Sequence, residues 1–247
     1  MIVEELKEHR EYILTSFRGA MEFNVFTDLA YIFASEYSTT SHEATGKVKI
    51  AYSQFASEFE IPDKQILISE LPAYFFESAK EKYLLSMVHQ QQIALFEHFF
   101  FDLIRVLLMD RPERMSKNKK IDYATILESD TKEDIIRRLI DRELNEIKYK
   151  NVSEWFIYLN SLVKLPDMPL DTLEKVAEAK ATRDILVHNA GIVNKIYLEK
   201  SGQAARFSVG NMIDVSPHYT RDVWHLLVGV LIKTSDSLIE KFEEKTA

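Results

Sequence analysis

Residues 93–108 read I-A-L-F-E-H-F-F-F-D-L-I-R-V-L-L. Phe96, Phe99, Leu103, Val106 and Leu107 recur at three- and four-residue spacing, and with Leu85 and Val88 upstream they mark one broad apolar helix face. Ile93, Phe100, Phe101 and Ile104 widen that face beyond a single stripe, so the helix must be covered on most sides. The pattern predicts one long central helix from Ser69 to about Asp110, with Pro72 in its first turn, where a missing N–H costs nothing. Within it Glu97 is anomalous, because its i±4 neighbours are Ile93 and Phe101. A carboxylate on an apolar side needs a cation or donors. Arg183 or His188 would serve, and so would another Lys or Arg of the bundle. Gln91, His98, Asp102 and Arg105 form a separate polar stripe that fits a groove, a dimer contact or a solvated face.

Working outward, the whole chain carries helical signals. Its 247 residues are 46% hydrophobic, ample for a core, and only six Gly and six Pro argue for long helices joined by few loops. Ile2 to Phe33 carries a helical period that predicts two helices, and a short third helix is expected from Lys47 to Glu58 after the turn-rich Ser38–Gly46. Thr131 and Asp134 resemble a capping box opening a helix, Asn151–Glu154 opens another, and Pro166 and Pro169 turn the chain. Asp171 is expected to cap the helix that follows. Arg206–Val215 alternates weakly, as a short hairpin or an extended flap does, and Ser216-Pro217 supplies a cap and first-turn proline for a last helix to about Glu243. The expected architecture is an all-α, up-and-down bundle: residues 1–65 form a helical extension and 66–247 the main domain, with at most a small β-hairpin near 206–215.

Several functions are set aside by composition. With no Cys, disulfides, thiolate zinc sites and cysteine nucleophiles are all excluded, and a reducing, cytoplasmic location is the simple expectation. The first ten residues are too charged for a signal peptide, and Glu97, Asp102 and Arg105 break the most apolar run. Glu-x-x-His and His-Glu-x-x-His pairs and glycine-rich phosphate loops are absent, and Asp222-x-x-His225 is a lone pair, so no metal or other cofactor is expected. The net charge of −8 weighs against nucleic acid, although Lys117, Lys119 and Lys120 form either a local basic patch or a solvated loop.

Against this background one stretch carries chemistry: Thr182–Asn194, T-R-D-I-L-V-H-N-A-G-I-V-N. Asp184 and His188 are i,i+4 neighbours on a helix, so the carboxylate can hold one imidazole nitrogen. Arg183 stands roughly 140° from His188 round the helix, within reach of a five-donor guanidinium. Asn189 and Gly191 are the residues that end helices.

This stretch resembles the signature of the HEPN superfamily, an Arg followed four to six residues later by His, carried here by Arg183, Asp184 and His188 with Asn189 and Gly191 behind them. The 93–108 helix, D-I-I-R-R-L-I-D-R-E-L and E-W-F-I-Y-L extend the resemblance over roughly residues 70–245. It implies a metal-independent endoribonuclease in which the ribose 2′-OH attacks the adjacent phosphate, leaving 2′,3′-cyclic phosphate and 5′-hydroxyl ends. On that pattern His188 moves protons, Arg183 stabilises the phosphorane and Asp184 holds His188, while Asn189, Glu97 and Lys195 contact substrate. One histidine cannot be base and acid in one step, so the resemblance also implies a homodimer whose two Arg–His pairs share a cleft. RNA is the expected substrate, with a toxin or antiphage role and a partner antitoxin or defence protein as a further implication. The alternative is a noncatalytic HEPN-like module that binds a nucleotide, RNA or a protein.

Overall fold

The computed structural model describes residues 2–40, 46–50, 64–74, 83–115, 121 and 123–244. Its elements, in order, are α1 (Ile2–Thr40), β1 (Lys47–Ile50), β2 (Lys64–Leu67), α2 (Leu71–Tyr74), α3 (Leu85–Asp110), α4 (Tyr123–Leu127), α5 (Lys132–Lys148), α6 (Val152–Val163), α7 (Leu170–His188), α8 (Lys195–Ser201) and α9 (Pro217–Glu243). The chain is the expected all-α, mostly up-and-down bundle.

The 93–108 stretch is its axis. α3 packs against α1, α5, α7 and α9. Phe96, Phe99, Phe100, Leu103 and Ile104 are buried on several sides of it, each contributing about 1.5–3 kcal/mol relative to exposure. Phe100 and Phe101 meet Trp155 of α6 with ring centroids 5.7 and 4.8 Å apart, and the Trp155 indole N–H donates to the Ile147 carbonyl at 2.8 Å, so α3, α5 and α6 are locked together. Pro72 lies in the four-residue α2, and residues 75–82, through which a continuous helix from Ser69 would run, fall outside the described residues.

The N-terminal region departs from expectation twice. α1 is one 39-residue helix, not two. Gly19 interrupts the apolar pattern without breaking the helix: no atom crowds the site, and a helical glycine costs only about 1 kcal/mol. Leu6, Ile13 and Phe17 of its first half are buried in the same core as α3 and α9. Salt bridges from Lys7 to Glu243 and from Arg10 to Asp236, each 2.8 Å, fasten that half to α9. Residues 47–50, expected to be helical, instead form a strand paired antiparallel with β2, Lys47 opposite Leu67 and Ile50 opposite Lys64. K-V-K-I alternates with a period of two, and four residues are too few for sequence periodicity to separate strand from helix. Residues 51–58 of that expected helix lie outside the described residues.

The helix N-caps at Thr131, Asn151 and Ser216 follow the sequence closely. The Thr131 hydroxyl accepts from the Asp134 N–H at 3.1 Å, Glu154 accepts from the Asn151 N–H at 3.0 Å, and the Ser216 hydroxyl accepts from the Tyr219 N–H at 3.2 Å. Asp171 is a correction: Pro169 occupies the cap of α7, and Asp171 sits in the first turn, 3.4 Å from Lys175. The 206–215 segment takes the extended form of the two expected, a strap joined to the α7–α8 turn at the Ile192–Met212 bridge by backbone hydrogen bonds from Val193 to Asn211, Gly210 to Val193 and Ile213 to Gly191. No helix among the described residues is long and apolar enough to cross a membrane.

Candidate functional site

α7 ends where its sequence says it should. His188 is its last residue, and the chain then takes positive φ at Ala190 (50°) and Gly191 (80°). The Gly191 N–H donates to the Ile185 carbonyl at 3.1 Å, and its own carbonyl accepts from Ile213 at 2.7 Å, which ties the helix end to the strap. The positive φ favours glycine at 191, and a Cβ there would stand 2.8 Å from the Met212 sulfur, so any other residue would also have to push that side chain aside. The Asn189 side-chain amide donates to the Ile192 carbonyl and closes the same turn.

The face of α7 bearing the motif borders a groove of about 740 Å³, walled also by α3, the end of α5 and α8. Arg183, Asp184, His188, Asn189 and Glu97 all line it. Glu97 is explained there: its carboxylate accepts from Arg183 at 2.6 Å and lies 3.5 Å from Lys180. Arg183 also reaches Asp184 at 3.1 Å. Lys180 and Lys200 approach the other Asp184 oxygen at 3.1 and 3.3 Å. Two carboxylates and three cations thus form one partly buried network. Burial pushes the Asp184 carboxyl up, but Lys180, Arg183 and Lys200 outweigh it and hold the group below the ordinary carboxylate range.

This geometry corrects the expected role of Asp184. The carboxylate is held by three cations and makes no hydrogen bond to His188, which is exposed and has no hydrogen-bond or ion-pair partner among the described residues. The expected i,i+4 carboxylate–imidazole pairing occurs instead on α3, where His98 Nδ1 lies 3.5 Å from Asp102. His98, Asp102 and Arg105 line the groove, whereas Gln91 lies in a shallow depression on the other side of Glu97. Lys195, at the start of α8, is exposed and does not line the groove; Lys200, later on the same helix, does. Lys117, Lys119 and Lys120 lie outside the described residues. Asp222 pairs with His218 at 3.3 Å, and no group of three metal-capable side chains exists among the described residues.

Two further features bear on the site. Lys180 stands four residues before Asp184, as His188 stands four after, so the three share one helical face. Glu178 and Thr182 share another. Glu178, only 3% exposed, accepts from Thr182 (2.8 Å), Tyr197 (2.7 Å), Tyr219 (2.7 Å) and Arg206 (2.9 Å). The Arg206 guanidinium also lies 3.4 Å from the Tyr219 ring centroid. This cluster fixes α7 to α8, α9 and the strap from behind, so the motif face is presented by a rigid helix. Beside it His89 is buried, with Nε2 donating to the Ala179 carbonyl at 2.9 Å, and burial pushes its pKa down to about 4.

The groove's electrostatics oppose those of the chain. Arg105, Lys148, Lys150, Lys180, Arg183 and Lys200 line it against Glu97, Asp102 and Asp184, a local excess of cations in a protein of net charge −8. Such a concavity concentrates anions. Comparisons with family models, with curated proteins and with solved structures gave no match to this chain.

Proposed function

We propose that the protein is a metal-independent endoribonuclease of the HEPN type, acting at the His188 end of the groove. The observation carrying this reading is the convergence of Arg183 and an unengaged, exposed His188 on one cation-rich concavity. His188 is free to exchange protons with water and substrate. Arg183 is oriented by Glu97 and Asp184, and a guanidinium with five donors retains N–H groups for a phosphate after those contacts. Lys180 and Lys200, gathered by Asp184, add charge where a phosphorane would develop. The missing second proton carrier is the His188 of a second copy, in a cleft shared across a twofold axis. Incubation of purified protein with total RNA and tRNA in EDTA tests this: cleavage with 2′,3′-cyclic phosphate and 5′-hydroxyl ends is expected, and DNA is spared because it lacks the attacking hydroxyl. Intact RNA under those conditions contradicts it.

A second reading, a noncatalytic module that binds an RNA or nucleotide phosphate, is favoured by a different observation. Arg183 and Asp184 are engaged in internal ion pairs, and no carboxylate orients His188. It predicts phosphate-dependent binding that His188→Ala leaves unchanged, with no cleavage by the wild type.

A further inference from the structure

The groove also carries an aromatic residue that the chemistry above does not use. Tyr149 caps α5 and is 91% exposed, so its ring stands in water with both faces accessible to a ligand. Lys148 and Lys150 flank it, and all three line the groove. A second, shallower concavity, bordered by Arg138 and Arg142 but also by Asp141, Glu146 and Asn145, shares Tyr149 with the groove, so Tyr149 borders both depressions. Nearby cations differ in their engagement. Arg105 is paired with Asp141 and Arg138 with Glu128, whereas Lys150 and Arg142 make no ion pair among the described residues. Lys148 lies 5.2 Å from the Phe101 ring centroid and makes no ion pair among the described residues.

We propose that Tyr149 is a base-stacking platform, with Lys148, Lys150 and Arg142 holding the phosphates on either side of the stacked nucleotide, and that the groove therefore takes single-stranded RNA. The substrate assignment rests on the ribonuclease reading of the groove; the stacking site does not. A base can lie on the Tyr149 ring only if its own π-face is open, and in a duplex the neighbouring pairs cover both faces. An exposed ring between unpaired cations is the arrangement that binds single strands with little sequence preference. Because the phenol does not read the 2′-OH, strand binding here is indifferent to the sugar, and discrimination against DNA comes only at the cleavage step.

The test is fluorescence anisotropy of the full chain in EDTA with a labelled, uncleavable 2′-O-methyl oligonucleotide on the order of a dozen nucleotides long. The same sequence as a duplex is measured beside it. Tyr149→Ala should weaken strand binding about tenfold, while Tyr149→Phe, which keeps the ring, should bind within about twofold of wild type. Lys150→Ala should lower the slope of log affinity against log salt by about 0.7. Tyr149 is solvent-exposed, so these variants should fold, and circular dichroism checks that they do. Equal binding by Tyr149→Ala and wild type, equal affinity for strand and duplex, or no binding by wild type overturns the stacking site. RNA cleavage by the wild type is assayed in parallel. Tyr149-dependent strand binding with RNA left intact removes the nuclease reading and keeps the site; cleavage with a neutral Tyr149→Ala removes the site and keeps the nuclease.

Discussion

Glu97 and Arg183, 86 positions apart in sequence, meet at 2.6 Å where α3 crosses α7. Both are at least three-quarters covered, so the pair is shielded from screening more than a surface bridge and less than a core one. Their contact fixes which way the motif arginine points.

Glu97→Gln should therefore destabilise the protein by about 1–2 kcal/mol, the range for a lost charge-assisted hydrogen bond whose partner keeps a second carboxylate. Urea denaturation at neutral pH measures it. An unchanged midpoint would mean that the pair contributes nothing to the fold.

Asp184→Asn should act on stability first and chemistry second. The carboxylate's pKa is depressed by Lys180, Arg183 and Lys200 against its burial. A group lowered in the folded state contributes stability that is present above its unfolded pKa of about 3.9 and lost as pH falls through the folded value. The asparagine variant should be less stable than wild type at pH 7, and the gap should close in acid as pH falls through the depressed folded value. Denaturation midpoints that differ equally at pH 7 and in acid would contradict this.

His89 gives a second pH signature at a different point on the scale. Its pKa of about 4 in the folded protein lies below the ordinary value of 6.5, so the unfolded chain binds the extra proton first. Stability should fall as pH drops from about 6.5 to 4, by about 3 kcal/mol from this group alone. His89→Gln, which keeps a donor for Ala179, should flatten that decline. A variant with the wild-type pH slope would show that the loss arises elsewhere.

Gly191→Ala should lower stability by about 1–2 kcal/mol for the left-handed backbone, and by more if Met212 cannot move aside. Thermal unfolding reads the sum.

What the sequence could disclose follows the range of the interactions concerned. The Leu85–Asp110 span of α3 and the caps at Thr131, Asn151 and Ser216 are marked by spacing within a few residues, whereas the expected start at Ser69 falls in a 3-10 turn, Ile68–Glu70. The first half of α1 packs through Leu6, Ile13 and Phe17 into the core of α3 and α9, a long-range relationship that no local pattern contains. β1 depends on a partner strand beginning at Lys64, a pairing invisible in K-V-K-I itself. At the site, the i,i+4 rule correctly places Asp184 and His188 on one face but cannot weigh competitors. Lys200 reaches Asp184 from α8, and together with Lys180 and Arg183 it takes the carboxylate that the local reading gives to His188. Glu97 shows the converse, a local anomaly on an apolar side whose resolution lies on another helix.

In the proposed reaction His188 moves the protons of RNA cleavage. The direct measurement is the cleavage rate of wild type and His188→Ala on the same RNA with EDTA present, with product ends identified. The account predicts cyclic-phosphate ends from the wild type and a rate at least about a hundredfold lower from a variant that remains folded. Equal rates from the two proteins would contradict it.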